Sequence, residues 1–126
     1  MIYSVSTSKS LAEIDQSLRE AAQRHKFGVL NVLDITQALS SKGIQLGHEC
    51  RVYDVCNPHA ALHALSDDLS ASVVLPCRIS VFTDGKQATL ATVRPTDLMQ
   101  ATGLVGIGEL AMEIEREIFA IMNETA

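Results

Sequence analysis

Cys56 and Cys77 are the residues whose type and position are best suited to chemistry. Cys56 is followed directly by Asn57 and Pro58, residues favoured at the N-cap and at the first position of a helix. The free N–H groups and the dipole at a helix start favour a thiolate, the reactive form of cysteine. If the strands that carry the two cysteines are antiparallel neighbours, both thiols meet there. The sequence therefore predicts a ligand-binding or thiol site at Cys56, Asn57, Pro58 and Cys77.

A purely structural role is the alternative for both cysteines, because cysteine is often a small buried hydrophobic residue. The chain has three cysteines, and this number is too small and odd for a disulfide framework. Free thiols are usual in cytosolic proteins. The spacing alone leaves both roles open.

Two histidines extend the candidate site toward metal binding. His59 and His63 are four residues apart and share one face of the predicted helix. With Cys56 and Cys77 they offer two sulfur and two nitrogen ligands, a set suited to zinc or copper. The alternative is that the protein has no cofactor and that both histidines are exposed to water.

Other patterns point less directly to chemistry. The segment Gly103-Leu104-Val105-Gly106-Ile107-Gly108 precedes a predicted helix and resembles a phosphate cradle, but its glycine spacing is the reverse of the dinucleotide fingerprint. Arg78 and Arg94 lie at predicted strand ends and are candidates for anion binding or for shielding strand edges. No Gly-x-Ser-x-Gly motif marks a hydrolytic nucleophile. The sequence leaves open whether the protein is an enzyme.

Length and charge limit the possible functions. The 126 residues suit a single domain over residues 1–126. The formal net charge of -5 argues against nucleic acids and anionic membranes as partners, because both require a basic surface. No apolar run is long enough to span a membrane, and the first six residues lack the features of a signal peptide. We expect a cytoplasmic protein with neither nucleic-acid nor membrane partners.

The strand signals predict the sheet that must position the site. Five segments have strand-like composition, namely residues 2–5, 27–33, 49–56, 73–83 and 86–93. The second is almost entirely apolar, which predicts a central strand. Pro76 near the start of the fourth predicts an edge position or a bulge. Asp84-Gly85 predicts a tight hairpin between the last two strands.

The helix signals lie between and after these strands. Ser10 and Glu13 form a capping box, Asp34 and Gln37 a second capping pair, and Thr96 is expected to cap a single turn. The last helix is predicted to start near Gly106 or Gly108, and its apolar stripe comprises Ile107, Leu110, Ala111, Ile114, Ile118, Ile121 and Met122. The resulting fold class is α+β, a two-layer sandwich of one mixed sheet of about five strands with helices packed on one face.

Three segments resemble the domain-of-unknown-function family 302. They are His25-Lys26-Phe27-Gly28-Val29-Leu30, Tyr53-Asp54-Val55-Cys56-Asn57-Pro58 and Val74-Leu75-Pro76-Cys77-Arg78-Ile79-Ser80-Val81. The resemblance runs from about Ala21 to Pro95. It implies a mixed sheet with helices on one face, and it implies a homodimer. It implies no activity, since none is established for the family.

Three functional hypotheses follow. The first is a domain of uncharacterised function that binds a small ligand or partner near the Cys56-Asn57-Pro58 turn. The alternative is thiol redox, sulfur-handling or soft-metal binding through Cys56 and Cys77. A module that interacts through a sheet edge is the third.

Overall fold

The fold was obtained as a computed structural model and is described for residues 1–104, 106 and 108–126. Along the chain the elements are β1 (Ile2–Thr7), α1 (Leu11–Arg24), β2 (Gly28–Asp34), α2 (Ile35–Ser40), β3 (Cys50–Cys56), α3 (Pro58–Asp67), a 3₁₀ helix (Leu69–Val73), β4 (Cys77–Thr83), β5 (Ala88–Val93), α4 (Pro95–Thr102) and α5 (Gly108–Thr125). The α+β class and the five strands agree with the sequence prediction. None of the helices described here is both long and apolar enough to cross a bilayer.

The five strands form one sheet in the order β1-β5-β4-β3-β2. All four pairs between these strands are antiparallel, so the predicted mixture of parallel and antiparallel pairs is wrong. With α1 as a crossover, β1 and β2 could have formed a parallel pair as neighbours. Instead they lie at opposite edges of the sheet, because β1 pairs with β5 and β2 with β3.

The predicted central position of the second strand is also wrong. β2 is an edge strand, and Leu30 and Leu33 are 64% and 49% exposed. Its register with β3 shifts between Val29 and Asn31, a bulge that disrupts pairing at the edge. The apolar run of β2 thus reflects one buried face and one exposed face.

Helices α1 and α5 pack together and cover one face of the sheet. Alternate strand residues, among them Tyr53, Ile79 and Leu90, point into the core with the apolar stripes of both helices. The stripe predicted for the last helix is buried at Ala111, Ile114, Ile118, Ile121 and Met122, while Ile107 lies outside the described residues. On the other face of the sheet, here called the open face, the described residues form no helix layer, and Phe82 and Val93 are exposed there.

A second, smaller core lies at one end of the sandwich, where α3, the 3₁₀ helix, α4 and the start of α5 meet. The 3₁₀ helix ends at Val73, the first residue of the segment predicted as a fourth strand, and residues 74–76 are not in a strand, so β4 begins only at Cys77. Pro76 therefore precedes β4, which is a central strand, and the predicted edge position is wrong. Thr96 does not cap α4, because its hydroxyl donates to Glu115 Oε1 at 2.7 Å.

Local capping signals are reproduced closely. Ser10 and Glu13 form the complete capping box of α1. The Asp34 side chain accepts a hydrogen bond from the Gln37 backbone N–H at the start of α2. The predicted hairpin joins β4 and β5, with Gly85 at φ 102°. Short-range signals of this kind thus mark the starts of α1 and α2 and the turn between β4 and β5.

Candidate functional site

The structure brings Cys56 and Cys77 to one place. Cys56 ends β3 and Cys77 begins β4, where Cys77 pairs in register with Val55, the neighbour of Cys56. Both cysteines line a small apolar void of about 10 Å³, together with Asn57. A void of this size has barely room for one water molecule. Both cysteines thus border the same void at the start of α3, and this void is nearly closed.

Burial determines the protonation state of both thiols. Burial raises the pKa of Cys56. Burial, followed by the charge of Cys56, raises the pKa of Cys77 to about 12. This direction is opposite to the thiolate predicted from the helix start, because loss of hydration outweighs the helix dipole. Both thiols are therefore protonated near neutral pH.

The predicted metal ligands are not assembled into a cluster. His59 and His63 lie on α3 and are both exposed to solvent. Within the part of the chain that the structure describes, no three His, Cys, Asp or Glu side chains are grouped closely enough to hold a metal ion. The set of Cys56, His59, His63 and Cys77 therefore does not form the predicted tetrahedral site.

Asn57 and Pro58 shape the turn as the sequence predicted. The Asn57 side chain caps α3 by accepting hydrogen bonds from the backbone N–H groups of His59 and Ala60, at 3.0 and 3.2 Å. Pro58 occupies the first helical position. The side-chain oxygen of Asn57 is therefore used in the cap. Asn57 also borders the space beside the turn.

A groove of about 420 Å³, here called the charged groove, lies beside this turn. It is bounded by the end of α1, the start of α3 and the first half of α5, and its lining residues are Arg24, His25, Lys26, Phe27, Asn57, Ala60, Leu110, Glu113, Ile114, Arg116 and Glu117. Three of these carry a positive formal charge and two a negative one, with His25 counted as neutral. In a chain whose net charge is -5, this is a local excess of positive charge.

The end of α1 holds Lys26 in an unusual backbone conformation. The Phe27 N–H donates to the Ala22 carbonyl at 2.8 Å and the Lys26 N–H to the Gln23 carbonyl at 3.0 Å, which is the Schellman pattern of helix termination. The residue in the left-handed position of this motif is usually glycine, but here it is Lys26, with φ 62°. A side chain in this conformation costs about 1 kcal/mol. The chain thus keeps a lysine on the groove at a cost in stability.

His25, which lines the groove, contacts two glutamates of α5, of which Glu117 also lines the groove. His25 contacts Glu117 through Nδ1 and Glu124 through Nε2, and Arg24 forms an ion pair with Glu124 at 3.0 Å. Hydrogen bonding to Glu124 raises the pKa of His25, although burial opposes it, and contact with His25 lowers the pKa of Glu124. Both shifts favour the ion pair, which occupies Arg24 and His25.

Lys26, Arg116 and Glu113 have no such partners. Among the residues that the structure describes, none of the ion pairs within 4.0 Å involves these three side chains. Sequence reasoning missed them as site residues. One signal was present in the sequence for Lys26. It occupies the position after the C-cap of α1, where glycine is common. Nothing local marks Arg116, which reaches the groove only through the packing of α5 on α1.

The two arginines and the glycine-rich segment that the sequence singled out have other surroundings. The Arg94 guanidinium lies over the rings of Phe119 and Tyr3, at 5.3 and 5.9 Å, an arrangement of cation–π type. Arg78 faces Asp54 at 3.6 Å. The predicted phosphate cradle over residues 103–108 includes Val105 and Ile107, which lie outside the described residues, and Gly103 at φ 75° ends α4.

Two comparisons with known proteins point to the same family. A family model described as "Domain of unknown function DUF302" matches residues 3–125. Among solved structures, the fold is similar to an uncharacterized conserved protein DUF302 from Bacillus stearothermophilus, with a TM-score of 0.94 and 26% sequence identity. That similarity covers 99% of this chain and 98% of the other. The search of curated proteins gave no match. These matches identify the family and the fold, and they indicate no activity.

Proposed function

The chain belongs to the DUF302 family of domains of unknown function, and we propose that this member binds a small anion in the charged groove beside the Cys56-Asn57-Pro58 turn. The observation that carries the proposal is Lys26, a non-glycine residue in left-handed backbone on the groove. Strained positions persist where function requires them. The unpaired Lys26 and Arg116 supply the charge, and the proposal contains no catalytic step.

The groove has the size of a small-molecule site. Its volume of about 420 Å³ falls within the range of ligand pockets. Phe27, Leu110 and Ile114 supply the apolar floor. Charge-assisted hydrogen bonds from Lys26 and Arg116 would orient an anionic group above it.

The thiol alternative receives less support. A nucleophilic or metal-binding cysteine requires a thiolate, whereas burial raises the pKa of both Cys56 and Cys77. The three cysteines are free, which suits a reducing compartment. We therefore keep a cytoplasmic location as part of the proposal. Thiol chemistry is not part of it.

Replacing Lys26 with glycine is expected to separate stability from binding. Glycine adopts the left-handed conformation without strain, so the free energy of unfolding should rise by about 1 kcal/mol. Loss of the ammonium group should weaken binding of a small anion at least about tenfold. Urea denaturation measures the first effect, and calorimetric titration with inorganic phosphate and with succinate measures the second.

Two variants control for charge in this test. Lys86→Gln removes the same charge from the exposed hairpin and should leave anion affinity unchanged. Glu113→Gln removes a negative charge from the groove and should strengthen anion binding. The proposal fails if the wild-type protein binds neither probe, or if Lys26→Gly binds as tightly as wild type. Weaker binding of either probe to Glu113→Gln would contradict the proposal that the positive charge of the groove holds the anion.

We further propose that the protein forms a homodimer through the open face of the sheet. In register across this face lie Leu33, Val52, Ser80, Ala91 and Ser4, followed by Cys50, Phe82, Thr89 and Ser6. Leu33 and Phe82 remain exposed in the isolated chain. Exposed apolar patches of this kind commonly mark contact surfaces, and a two-fold dimer pairs one such patch with its own copy.

Phe82→Asp is expected to weaken this dimer at least about 100-fold, because it buries an unpaired carboxylate in an apolar contact. Sedimentation equilibrium over a range of protein concentrations measures the dissociation constant. Leu69→Asp provides the control, since Leu69 is exposed on the 3₁₀ helix and away from the sheet. A wild-type protein that stays monomeric, or a Phe82→Asp variant that dimerises normally, contradicts the proposal.

A further inference from the structure

A second pocket is lined by Cys77, which does not line the charged groove. It has a volume of about 390 Å³ and is bounded by Leu75, Pro76 and Cys77 before and at the start of β4, by Val93 of β5, and by Leu98 and Met99 of α4. Ile114 of α5 lines both this pocket and the charged groove. The small void at Cys56 and Cys77 shares Phe27 and Asn57 with the groove and Leu75 with this pocket, so it lies between the two spaces.

The walls of this pocket are apolar because it lies along the seam between the two hydrophobic cores. Ile114 belongs to the main core, whereas Val74 and Met99 belong to the smaller one. The two cores do not close against each other here, and they leave room for a molecule of drug size. The protonated thiol of Cys77, whose pKa burial raises to about 12, adds no charge to this wall.

Arg78 is the one charged side chain at the rim, among the described residues that line the pocket. Its side chain is 77% exposed, and its Nε lies 3.6 Å from Asp54 Oδ1, a separation too long for a hydrogen bond. Asp54 Oδ1 has no hydrogen-bond partner within the described structure. The guanidinium is thus only loosely held and has donors available for another anion.

We propose that this pocket binds a small amphipathic organic anion, with its apolar body between Leu75, Leu98 and Met99 and its anionic group at Arg78. The pairing follows from the composition of the pocket, an apolar cavity with a single positive charge at its mouth. None of the charged side chains that line the charged groove lines this pocket. The inference therefore does not rest on the function proposed for that groove.

Two fluorescent probes of matched shape test the proposal on the full chain. 8-Anilinonaphthalene-1-sulfonate is anionic, and N-phenyl-1-naphthylamine has the same aromatic frame without the charge. Ser72→Trp places an indole at the rim of the pocket, where Ser72 is exposed, and should weaken both probes at least tenfold. Ser70→Trp, on the exposed surface of the same 3₁₀ helix, should leave both affinities unchanged.

Arg78→Gln separates the ionic from the apolar part of the recognition. It should weaken the sulfonate probe about tenfold and leave the neutral probe unchanged. In methyl NMR spectra, both probes should shift the Met99 signal, while that of the fully buried Met122 should stay in place. Binding that is unaffected by Ser72→Trp, or absent in the wild-type protein, overturns the site. Equal effects of Arg78→Gln on both probes overturn the requirement for an anion.

Discussion

Replacing Leu18 with alanine is expected to lower the free energy of unfolding by about 2 to 5 kcal/mol. Leu18 is fully buried in the main core, in the layer where α1 and α5 pack on the sheet. Removal of its side chain loses burial energy and leaves a cavity, which the packed helices and sheet can fill only in part. Urea denaturation followed by far-ultraviolet circular dichroism measures the change.

Leu30→Ala is the matched control for this substitution, since the same atoms are removed from an edge strand. Leu30 is 64% exposed beside the bulge in β2, and its loss should change stability by less than about 0.5 kcal/mol. If Leu30→Ala costs as much as Leu18→Ala, then β2 is buried on both faces. The exposure of Leu30 in this fold would then be wrong.

The contrast between Leu18 and Leu30 also shows where sequence reasoning succeeds. Leu18 belongs to a helical repeat that begins at a complete capping box at Ser10 and Glu13, so periodicity and cap both identify its buried face. Leu30 lies in an apolar run without any such periodicity. Whether both faces of that strand are covered depends on β1 pairing with β5, some 90 residues away, and no local signal reports this pairing.

In the candidate site, too, the locally determined features were predictable and those that depend on tertiary packing were not. Asn57 and Pro58 were predictable because capping is a local interaction between adjacent residues, and the structure confirms both roles. The charged groove was not predictable, because Lys26 and Arg116 are brought together only when α1 packs against α5. A composition of net charge -5 gives no sign of a local positive excess.

The prediction about the thiols failed for a different reason. The rule that a helix start favours a thiolate considers only the dipole and the free N–H groups. At Cys56 the side chain of Asn57 already uses the N–H groups of His59 and Ala60. What remains is burial, which is a tertiary effect and favours the neutral thiol. The sequence thus located the two cysteines correctly and gave the wrong direction for their pKa.

Cys77 is expected to react with iodoacetamide at least about 100-fold more slowly in the native protein at pH 7.5 than in the same protein unfolded in urea. Burial raises its pKa to about 12, and each pKa unit lowers the thiolate fraction about tenfold at this pH. Peptide mapping by mass spectrometry resolves the labelling of Cys50, Cys56 and Cys77 over time. The rate at Cys77 should increase with pH well beyond the range where an ordinary thiol is fully ionised. A native rate at Cys56 or Cys77 above the unfolded rate would contradict this result and would restore thiol chemistry as the leading function of the site.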